Sequence, residues 1–279
     1  MKLDLDRVAQ VVRAALEEDL GLGDVTSEST VPENARATAA LLAKQELVIA
    51  GLDLAVAAFR VLDSAMEWSP EAEDGARFFA GTVLGTFRGR ARPLLGAERV
   101  ALNFLQRLSG VATLTRRFVD AVAGTRARIR DTRKTTPNLR FLEKYAVAVG
   151  GGVPHRGGLD SGFLVKDNHV RLAGSVRQAT LRALAGAAGR EVEVEVEHLE
   201  QIEDAIAAGA HLLLLDNFTP AGVGEALALV GGRVPVEVSG GVRLDNVREY
   251  AEAGPDYIAV GALTHSAPAM DISLEIEPA

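Results

Sequence analysis

The hydrophobic and polar positions follow two different rhythms, one before Gly96 and one after it. The early part mixes helical and alternating patterns, and turn residues such as Gly21 and Pro32 separate them. The predicted elements are a helix in 1–20, strand-like residues in 36–49, a helix in 51–63 and one or two strands within 78–95. This mixture predicts a small α+β domain, which we place at residues 1–109.

After Gly96 comes a long helical pattern, "AERVALNFLQRLSGVATLTRRFVDAVAG", in which Gly110 predicts a break or a close contact. Short apolar strands then alternate with helices. The strands are "ARIRDT", "GFLVKD", "EVEVEVE", "HLLLLDN", "VPVEVSGG" and "YIAVGAL", and the helices are 138–149, 175–188, 199–208, 220–230 and 243–253. This alternation predicts a parallel sheet with helical crossovers, closed or nearly closed into a barrel at residues 110–266.

The end of the chain returns to an alternating pattern. In "DISLEIEPA" polar and apolar residues alternate, as they do in a strand with one buried face. We therefore expect the tail, residues 267–279, to join the N-terminal domain as an edge strand.

Composition narrows the classes of function. A net charge of −8 argues against general nucleic-acid binding, which usually needs a basic face. The absence of cysteine excludes disulfides, thiolate zinc sites and a cysteine nucleophile. The first residues form an amphipathic acidic pattern and not a signal peptide, and no apolar run approaches membrane-spanning length. We therefore expect a cytoplasmic protein with no membrane partner.

Polar and charged residues stand where the predicted barrel strands end. Ligands bind at the carboxyl ends of the strands in α/β barrels, so these residues predict one binding rim. In strand order they are Arg133 and Lys134, Lys166, Glu195 or Glu197, Asp216, then Ser239, Gly240 and Gly241, and finally Gly261, Thr264 and His265.

The acidic strand "EVEVEVE" and the basic stretch "RARIRDTRKTTPNLR" explain each other if they share a site. Taken alone, the strand fits an exposed antiparallel strand with a solvated acidic face. In a parallel sheet both faces are covered, so one face would point glutamates into the barrel, where they need cationic partners. For Arg126, Arg128 and Arg130 of the basic stretch we expect ordinary solvated surface charges.

The segments "VPVEVSGG" and "VGALTHS" place small residues directly after two strands. Such turns let backbone N–H groups approach an anion, and the last strands of barrels commonly bind phosphate in this way. The alternative is an ordinary tight turn between strand and helix. Two such ends on successive strands favour phosphate.

Several segments in order resemble the quinolinate phosphoribosyltransferase (carboxylating nicotinate-nucleotide pyrophosphorylase) family. They include "GDVTS", "DTRKTTPNLRFLEKYAV", "GGGVPHRGGLDSGFLVKDNH", "EVSGGV" and "YIAVGALTHS". The resemblance implies an N-terminal α/β sandwich domain completed by the C-terminal tail, and an incomplete (open) TIM-like α/β barrel. It implies a homodimer and a magnesium-dependent reaction of quinolinate with phosphoribosyl pyrophosphate that gives nicotinate mononucleotide, pyrophosphate and CO2.

The resemblance also implies residue roles. It assigns Arg133, His155, Arg156 and Lys166 to the dicarboxylate, Lys134 to the phosphate side, and Arg99 to donation across the dimer interface. It assigns Glu195 and Asp216 to the ribose hydroxyls and Mg2+, and Ser239, Gly240, Gly241, Gly261 and His265 to the 5′-phosphate. We expect Lys134, Lys166, Glu195 and Asp216 to be catalytic. His169 is equally compatible with a structural hydrogen bond.

Two positions depart from the family pattern. Pro154 stands where the pattern has Asn, and Ala148 stands where it has Arg. Pro154 is similar to a paralogous branch found with molybdate-transport systems, so a phosphoribosyltransferase-like paralogue acting on a different pyridine-like substrate is the alternative. A monocarboxylate substrate such as nicotinate would leave a surplus of cations. A binding protein without chemistry would be expected to lack Lys134, Lys166, Glu195 or Asp216.

Overall fold

The computed structural model describes residues 2–279, and within them the chain forms two compact units. The first unit comprises residues up to Leu114 together with Ala148–Gly151 and Ala267–Ala279. The second comprises Thr115–Val147 and Gly152–Ser266.

Helices and strands alternate through most of the chain. The helices are α1 Leu5–Leu20, α2 Val25–Thr30, α3 Leu52–Leu62, α4 Ala91–Ala121, α5 Arg140–Val149, α6 Asp167–Ala173, α7 Val176–Gly186, α8 Glu200–Ala207, α9 Pro220–Val230, α10 Val247–Ala253 and α11 Ala262–His265. The strands are β1 Arg36–Ala43, β2 Leu47–Val48, β3 Glu67–Pro70, β4 Arg77–Phe78, β5 Val83–Arg90, β6 Arg128–Arg130, β7 Phe163–Val165, β8 Val192–Val196, β9 Leu212–Asp216, β10 Val236–Ser239, β11 Tyr257–Ala259 and β12 Ile272–Pro278.

The first unit is built on an antiparallel sheet with the strand order β12-β1-β5-β3. Alternate residues of β1 are buried, as expected for a sheet with one face on the core. The C-terminal tail is an edge strand of this sheet, as its alternation predicts. The residues 91–95, predicted as part of a strand, instead begin helix α4, and β3 was not predicted.

An aromatic stack lies on the core-facing side of this sheet, because Phe87 is opposite the buried Ala39 of β1. The rings of Trp68 and Phe87, which face each other on β3 and β5, lie 4.2 Å apart between centroids. Gly85 lies beneath Trp68 with φ +153°, and a Cβ added there would overlap the indole ring. A glycine is therefore required for the tryptophan to lie flat on the sheet.

Helix α4 runs without a break through the predicted domain boundary at 109/110. Gly110 lies inside it, and a Cβ at this position would overlap the carbonyl oxygen of Pro268. The glycine therefore marks a close contact with the segment before β12 and not a helix break.

The second unit is built on a parallel sheet with the strand order β6-β11-β10-β9-β8-β7. Within the described residues its two edge strands, β6 and β7, do not pair with each other, and beyond β6 there is only an isolated bridge between Arg130 and Val153. All five residues of β8 are buried, so helices and interior cover both faces. The prediction of an incomplete α/β barrel is confirmed, and α6 is an additional, unpredicted helix.

The helix boundaries follow local capping. Helix α10 was predicted from residue 243 but begins at Val247, because Arg243 N–H donates to Asn246 Oδ1 (2.7 Å) in a turn that precedes the helix.

In residues 2–279 we find no helix that combines the length and the apolar character needed to cross a membrane.

Candidate active site

The carboxyl ends of the barrel strands open into a cleft of about 470 Å3. Parallel strands bring their carboxyl ends to one edge, so residues far apart in sequence meet here. Eight of the predicted site residues line the cleft: Arg133, Lys134, His155, Arg156, Lys166, Glu195, Asp216 and Ser239.

An ion pair crosses the cleft between β7 and β8. Lys166 Nζ lies 2.9 Å from Glu195 Oε2, and the other carboxylate oxygen accepts a hydrogen bond from Asp167 N–H (3.3 Å). Glu195 is buried, whereas the Lys166 side chain is about half exposed. Glu195 is therefore fixed in place, and Lys166 has an exposed side from which to meet an anion.

Asp216, at the end of β9, completes an acidic pair with Glu195. Burial and the neighbouring Glu195 charge raise the pKa of Asp216 above its ordinary value. Asn217 Nδ2 donates to Asp216 Oδ2 (2.7 Å). A cation beside these carboxylates would relieve their repulsion, so this donor set fits Mg2+, which is bound by one or two carboxylates plus substrate oxygens.

Two arginines in the cleft have hydrogen-bond donors to spare. The Nε atoms of Arg133 and Arg156 are buried and have no hydrogen-bond partner within residues 2–279. Arg156 Nη1 donates to Gly162 O (3.0 Å). Burial, followed by the nearby Arg133 charge, lowers the pKa of Arg156. Two guanidinium groups that repel each other, each with a buried Nε–H that has no acceptor, are a site for an anion, and a carboxylate matches their geometry.

A tight turn follows β10 at one end of the cleft. Gly240 (φ +92°) and Gly241 (φ +64°) are in the left-handed region, and a Cβ at Gly240 would overlap Asn217 Oδ1. Asn217 N–H donates to Ser239 O (2.8 Å), which joins the ends of β9 and β10. The neighbouring strand end places Lys134 and His265 against Gly261, where an added Cβ would lie 3.4 Å from Lys134 Cδ and 3.1 Å from His265 Nε2.

Sequence reasoning missed two buried charged residues at the floor of the cleft, Arg130 and Glu237. Arg130 Nη1 donates to Glu237 Oε2 (2.6 Å), and their side chains are 14% and 1% exposed. The expectation of a solvated Arg130 is therefore wrong, because its strand partner Ala259 also faces the cleft. Burial raises the pKa of Glu237 to about 7, as it does that of Glu193 on β8. Arg126 and Arg128 are exposed, as expected.

His155 lies between these glutamates. His155 Nε2 is 2.7 Å from Glu193 Oε2 and 3.8 Å from Glu237 Oε1. His155 Nδ1 accepts a hydrogen bond from Arg156 N–H (2.8 Å). The ring proton is therefore on Nε2, which donates a hydrogen bond to Glu193. A metal would need the lone pair of Nε2, and Glu237 already accepts a hydrogen bond from Arg130. The group is therefore a hydrogen-bonded cluster and is not arranged to bind a cation.

Other predicted residues lie away from the cleft lining. His169 Nδ1 accepts a hydrogen bond from Lys166 N–H (2.9 Å) at the start of α6, which is the structural role considered for it. His265 is exposed next to Ser266. Arg99 is exposed on α4 and belongs to the first unit.

The open barrel, its cationic cleft, the acidic pair and the glycine turn together define an α/β-barrel enzyme built for polyanionic substrates. Family models describe the two parts of the chain as the N-terminal domain (residues 24–109) and the C-terminal domain (residues 111–275) of quinolinate phosphoribosyl transferase. The chain belongs to the quinolinate phosphoribosyltransferase family.

Individual relatives agree with the family models. The chain is 45% identical to the carboxylating nicotinate-nucleotide pyrophosphorylase of Mycobacterium leprae over 98% of both chains. It is 41% identical to the probable carboxylating enzyme of Bacillus subtilis, over 93% of this chain and 90% of that one. The solved structure of NadC from Streptococcus pyogenes matches with a TM-score of 0.96 at 38% identity, over 100% of this chain and 99% of that one.

These relatives do not favour the alternative suggested by Pro154. The structure accommodates the proline locally, because Val153 bridges to Arg130 in an extended segment and the next N–H, that of His155, is bound by Asp131 Oδ1 (2.7 Å).

Proposed function

We propose that this protein transfers the phosphoribosyl group of phosphoribosyl pyrophosphate to quinolinate, with decarboxylation, in NAD biosynthesis. The products are nicotinate mononucleotide, pyrophosphate and CO2. The observation that carries the proposal is the sharing of one cleft by unpartnered arginine donors and the Glu195–Asp216 pair.

Quinolinate carries two adjacent carboxylates, and the cationic part of the cleft suits them. Arg133 and Arg156 have buried Nε–H donors without partners, and Lys166 can exchange Glu195 for a substrate carboxylate. Nicotinate would satisfy fewer of these cations, which supports the dicarboxylate.

The phosphoribosyl part suits the other strand ends. The backbone of Ser239, Gly240 and Gly241 and the glycine at 261 are proposed to bind the 5′-phosphate, with Lys134 and His265 beside it. Glu195 and Asp216 are proposed to bind the ribose hydroxyls.

We propose that Glu195 and Asp216 also hold Mg2+. When bound, Mg2+ would neutralise pyrophosphate and make it a better leaving group. The same carboxylates would stabilise positive charge that develops on the ribose carbon as pyrophosphate leaves.

The chemistry needs no covalent nucleophile from the protein. The pyridine nitrogen of quinolinate attacks C1 of the ribose, and the C–O bond to pyrophosphate breaks. The ring nitrogen then carries a positive charge. When the 2-carboxylate leaves as CO2, the electron pair of the broken C–C bond stays on the ring carbon, where the adjacent positive nitrogen stabilises it, and that carbon then takes up a proton. The residues of the cleft position the two reactants and balance their charges.

We further propose a homodimer in which Arg99 of one subunit contributes to the partner's site. Its exposure on α4 is compatible with that role. The cytoplasmic location stays a prediction.

The test is product formation from quinolinate and phosphoribosyl pyrophosphate with Mg2+, with nicotinate as the parallel substrate. Nicotinate mononucleotide and CO2 from quinolinate alone are the expected result. Product from nicotinate only, or none from quinolinate, would overturn the proposal.

A further inference from the structure

A buried ion pair lies directly behind the cleft. Lys144 on α5 places Nζ 2.6 Å from Oδ1 of Asp131, which follows β6, and the side chains are 6% and 0% exposed. Burial raises the pKa of Asp131 and lowers that of Lys144, so each depends on the other to remain charged. A pair this costly calls for a reason beyond stability.

Both members of the pair grip the backbone of His155. Asp131 Oδ1 accepts a hydrogen bond from His155 N–H (2.7 Å), and Lys144 Nζ donates to His155 O (2.9 Å). The N–H and C=O of one cleft residue are thus held by two charges of opposite sign. Charge-assisted hydrogen bonds of this kind are about twice as strong as neutral ones, so they fix the main chain at this point.

The ring of His155 is fixed as firmly as its backbone. Nε2–H donates to Glu193, and Nδ1 accepts from the N–H of Arg156. Burial lowers the pKa of His155 and keeps the ring neutral. Both nitrogens are therefore already bound, and Arg156 receives its position from the imidazole.

We propose that Asp131, Lys144 and Glu193 are positioning residues that hold His155 at its backbone and its ring, and thereby aim the Arg156 guanidinium at the dicarboxylate. The inference rests on the proposed function, since it concerns the same substrate. The chain of contacts runs from the buried pair through the His155 backbone and ring to the N–H of Arg156. From there the guanidinium extends into the cleft, braced by Gly162 O.

Kinetics of a double variant separate positioning from stability. Lys144→Met alone leaves a buried carboxylate without its counter-charge, and we expect it to destabilise the fold strongly. Asp131→Asn with Lys144→Met removes both charges. We expect the double variant to fold and to show a KM for quinolinate raised roughly 10- to 100-fold, with the KM for phosphoribosyl pyrophosphate nearly unchanged. The matched control is Lys44→Met with Glu275→Gln, an exposed ion pair of the first unit, which should change neither constant.

The imidazole gives a second readout that needs no substrate. Nitrogen-15 NMR of the wild-type protein at neutral pH should show His155 neutral with its proton on Nε2. In Glu193→Leu the Nε2 proton loses its acceptor, and we expect its signal to shift and to exchange faster with solvent.

The outcomes are distinct. A folded double variant with a normal KM for quinolinate would overturn the positioning role, and a wild-type His155 with its proton on Nδ1 would overturn the ring assignment. A wild-type enzyme that forms no product from quinolinate would instead overturn the proposed function. The NMR measurement would then still test whether the His155 ring is fixed.

Discussion

Lys166 Nζ and Glu195 Oε2 lie 2.9 Å apart, and one partner is half exposed while the other is buried. A substrate carboxylate that binds Lys166 therefore has to compete with Glu195, which is itself held by Asp167 N–H. The pair aligns the lysine before substrate arrives.

The first prediction concerns this lysine. Lys166→Met should lower kcat/KM for quinolinate by roughly 10- to 150-fold, because a charge-assisted hydrogen bond worth ~1.5–3 kcal/mol is lost. Steady-state kinetics with each substrate varied in turn measure the effect. Lys44→Met, on the exposed edge of the first unit, is the control. An unchanged kcat/KM for Lys166→Met would contradict the role of Lys166.

Gly240→Ala should impair both stability and phosphate binding. The added Cβ would overlap Asn217. The alanine would also have to keep φ +92°, a backbone conformation that strains a non-glycine residue by ~1–3 kcal/mol. Gly224→Ala in α9 is the matched control: its Cβ meets nothing within 4 Å, and we expect a gain of ~0.5–1 kcal/mol. Thermal unfolding and the KM for phosphoribosyl pyrophosphate measure both effects. A Gly240→Ala protein as stable as the wild type would refute the argument from strain.

Glu237 should make stability depend on pH. Burial, followed by the Glu193 charge, raises the pKa of Glu237 from 4.5 to about 7, with His155 and Arg130 opposing the shift. Between these values the folded protein keeps a proton that the unfolded chain releases. The free energy of unfolding therefore falls as pH rises from 4.5 to about 7, by on the order of 1–3 kcal/mol, and then levels off.

Denaturant unfolding at pH 5 and pH 8 tests this dependence. Glu237→Gln should reduce the difference between the two pH values. Glu203→Gln is the control, because the exposed Glu203 pairs with Arg233 and its lowered pKa keeps its titration below this window. If the free energy of unfolding changes equally between pH 5 and pH 8 in Glu237→Gln and in the wild type, Glu237 does not titrate in this range.

Asp216→Asn should lower turnover more than substrate affinity. The carboxylate is proposed to stabilise charge that develops in the transition state, and its loss should also raise the Mg2+ concentration needed for half-maximal rate. Rates measured over a range of Mg2+ concentrations give the turnover and the Mg2+ concentration for half-maximal rate. A loss of substrate binding with unchanged turnover would count against the role.

Mixing two inactive variants tests the donation of Arg99. Arg99→Ala and Lys166→Met subunits should each be impaired as homodimers. In a mixed dimer one site receives intact Arg99 and intact Lys166, so equal mixing should restore about a quarter of the wild-type sites. Mixtures no more active than their components, despite proven subunit exchange, would place Arg99 outside the partner's site.

Sequence patterns predicted the residues at the rim of the cleft but not the buried charged residues at its floor. The residues at strand ends could be predicted because alternation and turn signals mark where each strand stops. Arg130 and Glu237 could not, since their pairing depends on which strands become neighbours, and β6 adjoins β11 although more than a hundred residues separate them. Asp131 and Lys144 are close in sequence, but their burial is set by the packing of α5. Gly110 was noticed, yet nothing local distinguishes a kink from a contact with Pro268.

Trp68, which stacks on Phe87, allows the two units to be followed separately by spectroscopy. Trp68 is the sole tryptophan and lies in the first unit, whereas all three tyrosines, Tyr145, Tyr250 and Tyr257, lie in the second. Fluorescence excited at the red edge of the aromatic band therefore reports one unit, and the tyrosine signals in near-ultraviolet circular dichroism report the other. The native chain thus carries its own pair of probes, with which the order of loss of its two cores can be followed without a label.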